Sequence, residues 1–440
     1  MTRVSVPVLG AFIILAAALP AAAEHTILNS TFLGGSRGDV GLAVAVQNGN
    51  TFIAGTTYSL NYPVVAVTSS KPENEQTSDV FVTALDSSGT PMYSTYVAMG
   101  NQEESVLGIG VAPDGSAYVA ALAYHGADMS AVVAKLEPWG ELAWRREAAG
   151  RFYAQGMTVD SQGNVYVTGR NTGVDEDNVP LDTAFLWKLD SEGTTSYWAE
   201  IDGESFDIGS DVAVDAAGNA YVIGITGSTD LPGADQPAPE GVNAFVTGLD
   251  AAGAILWSTY LGGSGEDQGV EIDVAADGNL IVAGTTKSTD LPTQKPYQAQ
   301  PGGLQDLLLA RLAPRGGVIS LSYLGGSEND DVLDLDQEGA SISLAAVSPP
   351  GNAPHRKYLD PACGGSFLAK LDITGQPMDA ACVGSLSAIY GVAVSSAGVS
   401  VAGAAGSDLP VVDAWQPSPA GAGDAFAAKL IFTTRKLARR

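Results

Sequence analysis

Acidic residues recur at a fixed place in this chain. Four residues beyond the end of a serine/threonine–aromatic run stand Asp39, Glu104, Asp207, Asp267 and Asp330, while Ala154 and Ile389 hold the corresponding places in two further copies. Carboxylates brought together repel one another unless a cation or hydrogen-bond donors compensate. Two chemistries are open to such a set. It holds a Ca2+ or a cationic ligand, or each side chain accepts backbone N–H bonds within its own Gly-rich loop.

Other reactive signals are formal matches. Gly34-Gly-Ser-Arg-Gly38 fits G-x-S-x-G, but a nucleophile elbow joins a strand to a helix, and here strand precedes strand. Ser36 also lacks an evident base, since His25, His125 and His355 are the only histidines. Asp334-Leu-Asp-Gln-Glu-Gly339 begins like an EF-hand loop, yet Ala345 occupies the place of the closing Glu. It reads as a turn between two strands. H-E-x-x-H, Walker and dinucleotide-binding motifs are absent from the sequence. No catalytic residue is assigned, so the chain is expected not to be an enzyme. Cys363 and Cys382 are the only cysteines, and they suit either a disulfide in an oxidising compartment or two buried thiols. His355-Arg-Lys357 is an isolated basic spot on a long loop.

The elements that must position these residues are short strands. Three signatures repeat. The first is the aromatic run: Ser30-Thr-Phe-Leu-Gly-Gly35, Ser94-Thr-Tyr-Val97, Ser258-Thr-Tyr-Leu-Gly-Gly263 and Leu321-Ser-Tyr-Leu-Gly-Gly326. The second is a strand–turn–strand such as Val212-Ala-Val-Asp-Ala-Ala-Gly-Asn-Ala-Tyr-Val222, with turn glycines at 49, 115, 163, 218, 278, 339 and 398. The third is an apolar strand of the type Phe185-Leu-Trp-Lys-Leu189, present seven times. Each unit is therefore four strands, a to d, and near-continuous apolar runs such as Ala220–Ile225 indicate sheets buried on both faces.

Four-stranded sheets repeated radially make a propeller. The expected fold is all-β, a seven-bladed β-propeller of four-stranded antiparallel blades. The blades fall near 36–99, 101–149, 151–202, 204–262, 264–325, 327–384 and 386–432. The last copy of the third signature has no aromatic strand after it, whereas residues 27–33 are an aromatic strand with no a, b or c before it. The N-terminal strand, 26–33, is thus expected to complete the last blade and remove the open edges.

The Ser-Thr-Tyr-Leu-Gly-Gly, Val-Asp-x-x-Gly-Asn-x-Tyr-Val-x-Gly and Ser-Thr-Asp-Leu-Pro elements resemble the SBBP repeat, which is named for a seven-bladed β-propeller and is similar to the NHL repeat. The resemblance runs over residues 26–432, best in units four and five. It implies a fold and brings no catalytic residue. It also implies that strand a is innermost, so that Asp39, Glu104, Asp207, Asp267 and Asp330 would ring the central channel.

Alternation of strand direction puts every b–c and d–a loop on one face. The b–c connections are long: 57–78, 170–183, 226–243, 286–305, 347–365 and 405–423. Long loops on a rigid scaffold are where binding usually resides. The aromatic candidates for a ligand there are Tyr58, Tyr62, Tyr297, Tyr358 and Trp415.

Arg3, the apolar run 4–19 and Ala21-Ala22-Ala23 read as a secretory signal cleaved after Ala23, because the run is short for a membrane span of about 20 residues. Residues 24–432 then form the propeller, and 433–440 a basic tail. The net charge of -28 opposes nucleic acid and anionic lipid and favours cations or basic partners. These observations imply a monomeric binding module at the cell surface, in the periplasm or secreted. Its partner is expected to be a protein or a glycan, with no cofactor beyond a Ca2+ at the carboxylates and no transmembrane segment in the mature chain. An exported metal-dependent lyase or lactonase using channel carboxylates, and a structural envelope component, are the alternatives.

Overall fold

The computed structural model describes residues 25–67, 77–99, 103–125, 128–148, 150–174, 180–339, 341–347, 366–372, 376–384, 387–421 and 423–432. The signal-like segment, Tyr358, the basic spot 355–357, Cys363 and the basic tail lie outside them. The described residues form twenty-eight strands in seven four-stranded antiparallel sheets. The chain is a seven-bladed β-propeller. Its last blade contains three C-terminal strands, and the N-terminal strand His25–Leu33 pairs with Ala425–Phe432 as the outer strand.

Blades meet face to face through apolar layers. Val80, Val82, Val119 and Val132 pack between the first two blades, and Ile223, Val246, Val282 and Leu308 between the fourth and fifth. This explains the unbroken apolar runs of strands b and c, which have a neighbouring sheet on each side. The a–b turns need a left-handed residue, and Gly218 supplies it with φ 83°. Asp215 fixes the same turn. It accepts the Ala217 and Asn219 N–H groups, the Asn219 amide at 2.8 Å and the Tyr221 hydroxyl at 3.1 Å. The Val-Asp-x-x-Gly-Asn-x-Tyr pattern is thus one hydrogen-bonded turn.

The seven inner strands are Asp39–Gln47, Glu104–Val111, Phe152–Val159, Asp207–Val214, Asp267–Val274, Asp331–Glu338 and Ala388–Ser395. Each carries a bulge near its start. A bulge leaves one residue unpaired and re-aims its side chain. The unpaired residues are Leu42, Leu107, Gln155, Ser210, Val270, Leu333 and Tyr390, and all but Val270 line the central channel. In five blades strand b answers the bulge with a glycine, at 55, 169, 224, 284 and 403, and blades 2 and 6 carry Ala121 and Ala346 there. A Cβ on Gly224 would lie 1.9 Å from the Ile208 carbonyl oxygen and 2.8 Å from the Phe245 ring.

Two expectations are corrected. The connection at 170–183 is not a long loop, because Val165–Val174 and Pro180–Leu189 pair as far as Val174 and Pro180. Asp334 and Asp336 do not sit in a turn. They belong to the inner strand of blade 6, and the turn begins at Gly339.

Candidate ligand site on the loop face

The recurring carboxylates stand at the tops of the inner strands, and all five are buried. None lines the central channel, which corrects the expected ring. Asp39 accepts the Gly35 N–H at 2.8 Å, the Ser59 hydroxyl at 3.0 Å and the Thr57 hydroxyl. Asp207 accepts Gly203 N–H, Thr226 and Ser228 at 2.8, 2.5 and 2.9 Å. Asp267 accepts Gly263 N–H and Ser288 at 2.8 and 2.7 Å, and Asp330 accepts Gly326 N–H at 2.7 Å. Glu104 accepts the Val80 N–H at 3.3 Å. Burial raises the carboxyls of Asp39 and Asp207, and these same hydrogen bonds oppose the rise. Among the described residues, no group of three or more His, Cys, Asp or Glu side chains is poised to hold a metal ion.

The bonds tie two sequence signatures together. The Gly-Gly end of an outer strand and the Thr-x-Ser-x-Asp start of a b–c loop meet on one carboxylate. Ser228 also accepts the Ser205 N–H, and Asp230 accepts the Glu204 N–H. Ser288 and Asp290 repeat this with Gly265 and Ser264. The tyrosine of the aromatic run closes the arrangement. The Leu231 and Leu291 N–H groups donate to the hydroxyls of Tyr260 and Tyr323, each at 2.9 Å. Most of the loop-face motif is therefore scaffold.

The aromatic candidates divide. Tyr62 is 2 % exposed and stacks on Phe81 at 4.4 Å, with its hydroxyl 2.9 Å from that of Thr83. It is a core residue, which overturns its assignment to a ligand surface. Tyr297 and Trp415 are half-buried and pack against interblade cores. Tyr58 is 41 % exposed. It stands in a cleft of about 430 Å³ that opens between blades 1, 2 and 7. The cleft is walled by Tyr58, Tyr124 and Tyr390, floored by Val40 and Leu42, and edged by Glu103 and Glu104.

Each tyrosine reaches the cleft by a different route. Tyr58 follows the last residue of strand b and donates its N–H to the Gly38 carbonyl at 3.0 Å. Tyr124 rides on the hairpin of blade 2, whose strands Ala117–His125 and Asp128–Leu136 pair as far as His125 and Asp128. Tyr390 is the bulge residue of blade 7, 37 % exposed. Sequence reasoning missed Tyr124 and Tyr390. The signal for Tyr390 is its registry with Leu42, Leu107 and Leu333 in the repeat.

Leu42 and Tyr390 also border the central channel, a cavity of about 440 Å³. Immediately past the bulge, blades 4, 5 and 6 carry Asp211, Glu271 and Asp334, where the other blades carry Ala43, Gly108, Gly156 and Gly391. Asp273 and Asp336 follow two residues later, and all five line the channel. Asp211 accepts the Ile272 N–H of the next blade at 3.1 Å. Asp334 and Asp336 accept the Val392 and Val394 N–H groups, both at 2.5 Å. Desolvation pushes Asp211 and Asp336 up to about 6. Glu271, Asp273 and Asp334 are raised well above the ordinary range by burial first and by their acidic neighbours second. Cys382 is disulfide-bonded.

Residues 144–173 match the SBBP family, a beta-propeller repeat, so the chain carries this repeat in the stretch from the outer strand of blade 2 to strand b of blade 3. A streptogramin B lyase has a similar structure, with a TM-score of 0.51 and 11 % sequence identity over 94 % of this chain and 99 % of that one. An ulvan lyase superposes with a TM-score of 0.49 and 10 % identity over 86 % of this chain and 93 % of its own. The regulatory protein FlaEY of Caulobacter vibrioides is 31 % identical over 108 residues, which is 24 % of this chain and 11 % of FlaEY. The chain therefore spans about a tenth of that relative. The likeness to the streptogramin B lyase shows the fold alone.

Proposed function

We propose that the protein is an exported, non-catalytic binding module that engages a protein or glycan partner through the tyrosine-walled cleft of its loop face. The carrying observation is the cleft itself. Three tyrosines from three separate blades converge on one concavity at the mouth of the channel. Tyrosine offers a large apolar face and a polar tip at small conformational cost, which suits it to recognition surfaces. Export rests on the signal-like sequence of residues 1–23.

The test is a panel of immobilised glycans and of basic, neutral and acidic peptides, probed with the wild type and with Tyr58→Ala/Tyr390→Ala. Retention of some probe by the wild type and its loss in the variant supports the reading. Equal retention of every probe by both proteins removes it.

A second reading, an exported lyase or lactonase, is favoured by the channel. Asp211 and Glu271 hydrogen-bond each other there with raised affinities for a proton, and perturbed carboxyls in a cavity are a feature of acid–base sites. Under this reading Glu271→Gln abolishes turnover of a lactone or polyuronate substrate. No turnover by the wild type across such a panel counts against it.

A further inference from the structure

The channel wall is built in two ways. In blade 3 the residue just past the bulge is Gly156, and a Cβ there would lie 2.5 Å from the Ser210 carbonyl oxygen of blade 4, so these inner strands meet main chain to main chain. Gly108 of blade 2 is as close to blade 3, since its Cβ would lie 2.6 Å from the Met157 side chain. Blades 4, 5 and 6 put Asp211, Glu271 and Asp334 at this place. Asp211 and Asp334 each accept an N–H from the inner strand of the following blade, Ile272 and Val392. Asp273 accepts the Val274 N–H at 2.6 Å, and Asp336 accepts that of Val394. Glu271 differs, because it hydrogen-bonds the Asp211 carboxyl across the junction of blades 4 and 5. Two ionised carboxylates offer only acceptors, so this bond exists only while the pair holds a proton.

We propose that Asp211 and Glu271 form a proton-operated latch on the channel wall, which ties the inner strands of blades 4 and 5 together while the proton is present and loosens them when it leaves, the inner strands of blades 1 and 2 staying closed. The latch is independent of either reading of function. Its surroundings set its direction. Asp273 lies two residues along the strand from Glu271, and Asp334 and Asp336 line the channel from blade 6. Asp207 and Asp267, at the loop ends of the same two strands, are held by Gly203 and Gly263. The inner strand of blade 3, Phe152–Val159, has one titratable side chain, Tyr153, which lies under the Arg170 guanidinium. The strands Ala220–Thr226, Asn243–Leu249 and Leu280–Thr286 contain one, Tyr221, which donates to Asp215. In the two middle strands of blade 3, Arg170 pairs with Asp182, Lys188 lies over the Tyr166 and Tyr197 rings, and Tyr166 donates to Asp160. Burial raises both carboxyls of the pair, and the acidic neighbours raise Glu271 further. A carboxyl raised in the folded state keeps its proton below its folded value and loses it as pH rises through that value. The two groups titrate as a pair, so the latch is shut in acid and opens at the higher of their two apparent values.

The experiment is amide hydrogen exchange on the intact protein at pH 5.5, 7 and 8.5, each rate corrected for the intrinsic effect of pH, at constant high salt and with EDTA to exclude divalent cations. Protection of the strands 207–214 and 267–274 should fall about tenfold from pH 5.5 to 8.5, while 39–47 and 104–111 keep theirs. Glu271→Gln supplies an amide donor to Asp211 at every pH and should remove most of this dependence. Asp211→Asn supplies one to Glu271 and should do the same, so it carries the test if the first variant does not fold. Glu192→Gln, on an exposed turn, should behave as the wild type.

Two results overturn the proposal. One is an unchanged pH dependence of 207–214 and 267–274 in Glu271→Gln or Asp211→Asn. The other is an equal loss of protection in all four strands of the wild type, which would be the signature of repulsion over the whole molecule.

Discussion

Acidification from pH 7.5 to pH 5 should stabilise this protein, and the channel carboxylates should be the reason. Asp211 and Asp336 titrate near 6 when folded, against an ordinary 3.8. A carboxyl whose folded pKa is raised holds its proton more tightly in the native state than in the unfolded one. Its stabilising contribution is complete below the unfolded value and is lost as pH rises through the folded value. Between pH 7.5 and 5 each such group regains about one pH unit of linkage, about 1.4 kcal/mol. Both side chains reach channel water, so about half of that survives solvent screening, about 0.7 kcal/mol each. The pair contributes about 1.4 kcal/mol, and Glu271, Asp273 and Asp334 add in the same direction. Carboxyls with lowered values, such as Asp215 and Asp277, act with the opposite sign but only below about pH 4. The assay is the urea midpoint at pH 5, 6 and 7.5 at constant ionic strength, for the wild type, for Asp211→Asn/Glu271→Gln and for Glu192→Gln. The wild-type midpoint should fall as pH rises, the channel variant should flatten the slope, and Glu192→Gln should keep it. General repulsion from a net charge of -28 has the same sign but is screened by salt, so repeating the series at 0.5 M NaCl, about a fourfold shorter screening length than 30 mM, isolates the channel term. An unchanged slope in the channel variant refutes the reasoning.

Asp207→Ala leaves the Gly203 N–H, Thr226 and Ser228 without their shared acceptor, and thermal unfolding should show a loss of about 2–4 kcal/mol, whereas Glu240→Ala on the exposed part of the same loop should cost less than about 0.5 kcal/mol. Gly224→Ala drives a methyl into the Ile208 carbonyl at 1.9 Å, so chemical denaturation should register about 3 kcal/mol or more, or the variant should fail to accumulate as folded protein. Removing residues 25–33 strips the outer strand of blade 7 and exposes Phe426 and Ala428 along its edge, and the melting temperature should fall sharply. Tyr62→Phe keeps the stack on Phe81 and loses one buried hydroxyl contact, a loss of about 1 kcal/mol by urea titration.

The repeat was legible because its motifs are physical units. Gly218, Asp215 and Asn219 make one turn, and their spacing announces it. The missing outer strand of the last unit and the spare strand at 26–33 implied the closure, and the pairing of His25–Leu33 with Ala425–Phe432 shows it. The site was less legible, for two reasons. The carboxylates that recur most regularly, such as Asp207 and Asp267, recur because every blade needs the same loop fastened. Among the described residues, the acidic side chains that face the channel occur in three blades, inside strands whose period-two alternation, Glu271-Ile272-Asp273 and Asp334-Leu335-Asp336, reads as ordinary patterning. What sent them inward is the bulge, and a bulge leaves no mark in composition.

The distribution of loop folds carries the functional argument one step further. In blades 1, 4, 5 and 7 the b–c loop turns down over the blade's own outer strand. Val65, Ala234, Gln294 and Val412, each two residues past a proline, bridge to Ser94, Ser258, Leu321 and Ser30. The tyrosine clamp helps hold three of these loops in place. Blade 2 carries Arg145-Arg146-Glu147 where blade 1 has Ser94-Thr95-Tyr96, and its strands b and c rise as a tight hairpin instead. That hairpin lifts Tyr124 to the cleft beside Tyr58. A loop clamped as in blade 1 would lie along the outer edge, away from the channel mouth. The loss of the repeat motif in the second unit is therefore what builds the third wall of the site. Restoring the motif there, with Arg145→Ser, Arg146→Thr and Glu147→Tyr and the 57–67 loop grafted between strands b and c, should preserve the propeller while removing Tyr124 from the cleft. If the grafted protein folds and binds as the wild type does, the hairpin has no part in recognition, and the cleft reduces to Tyr58 and Tyr390.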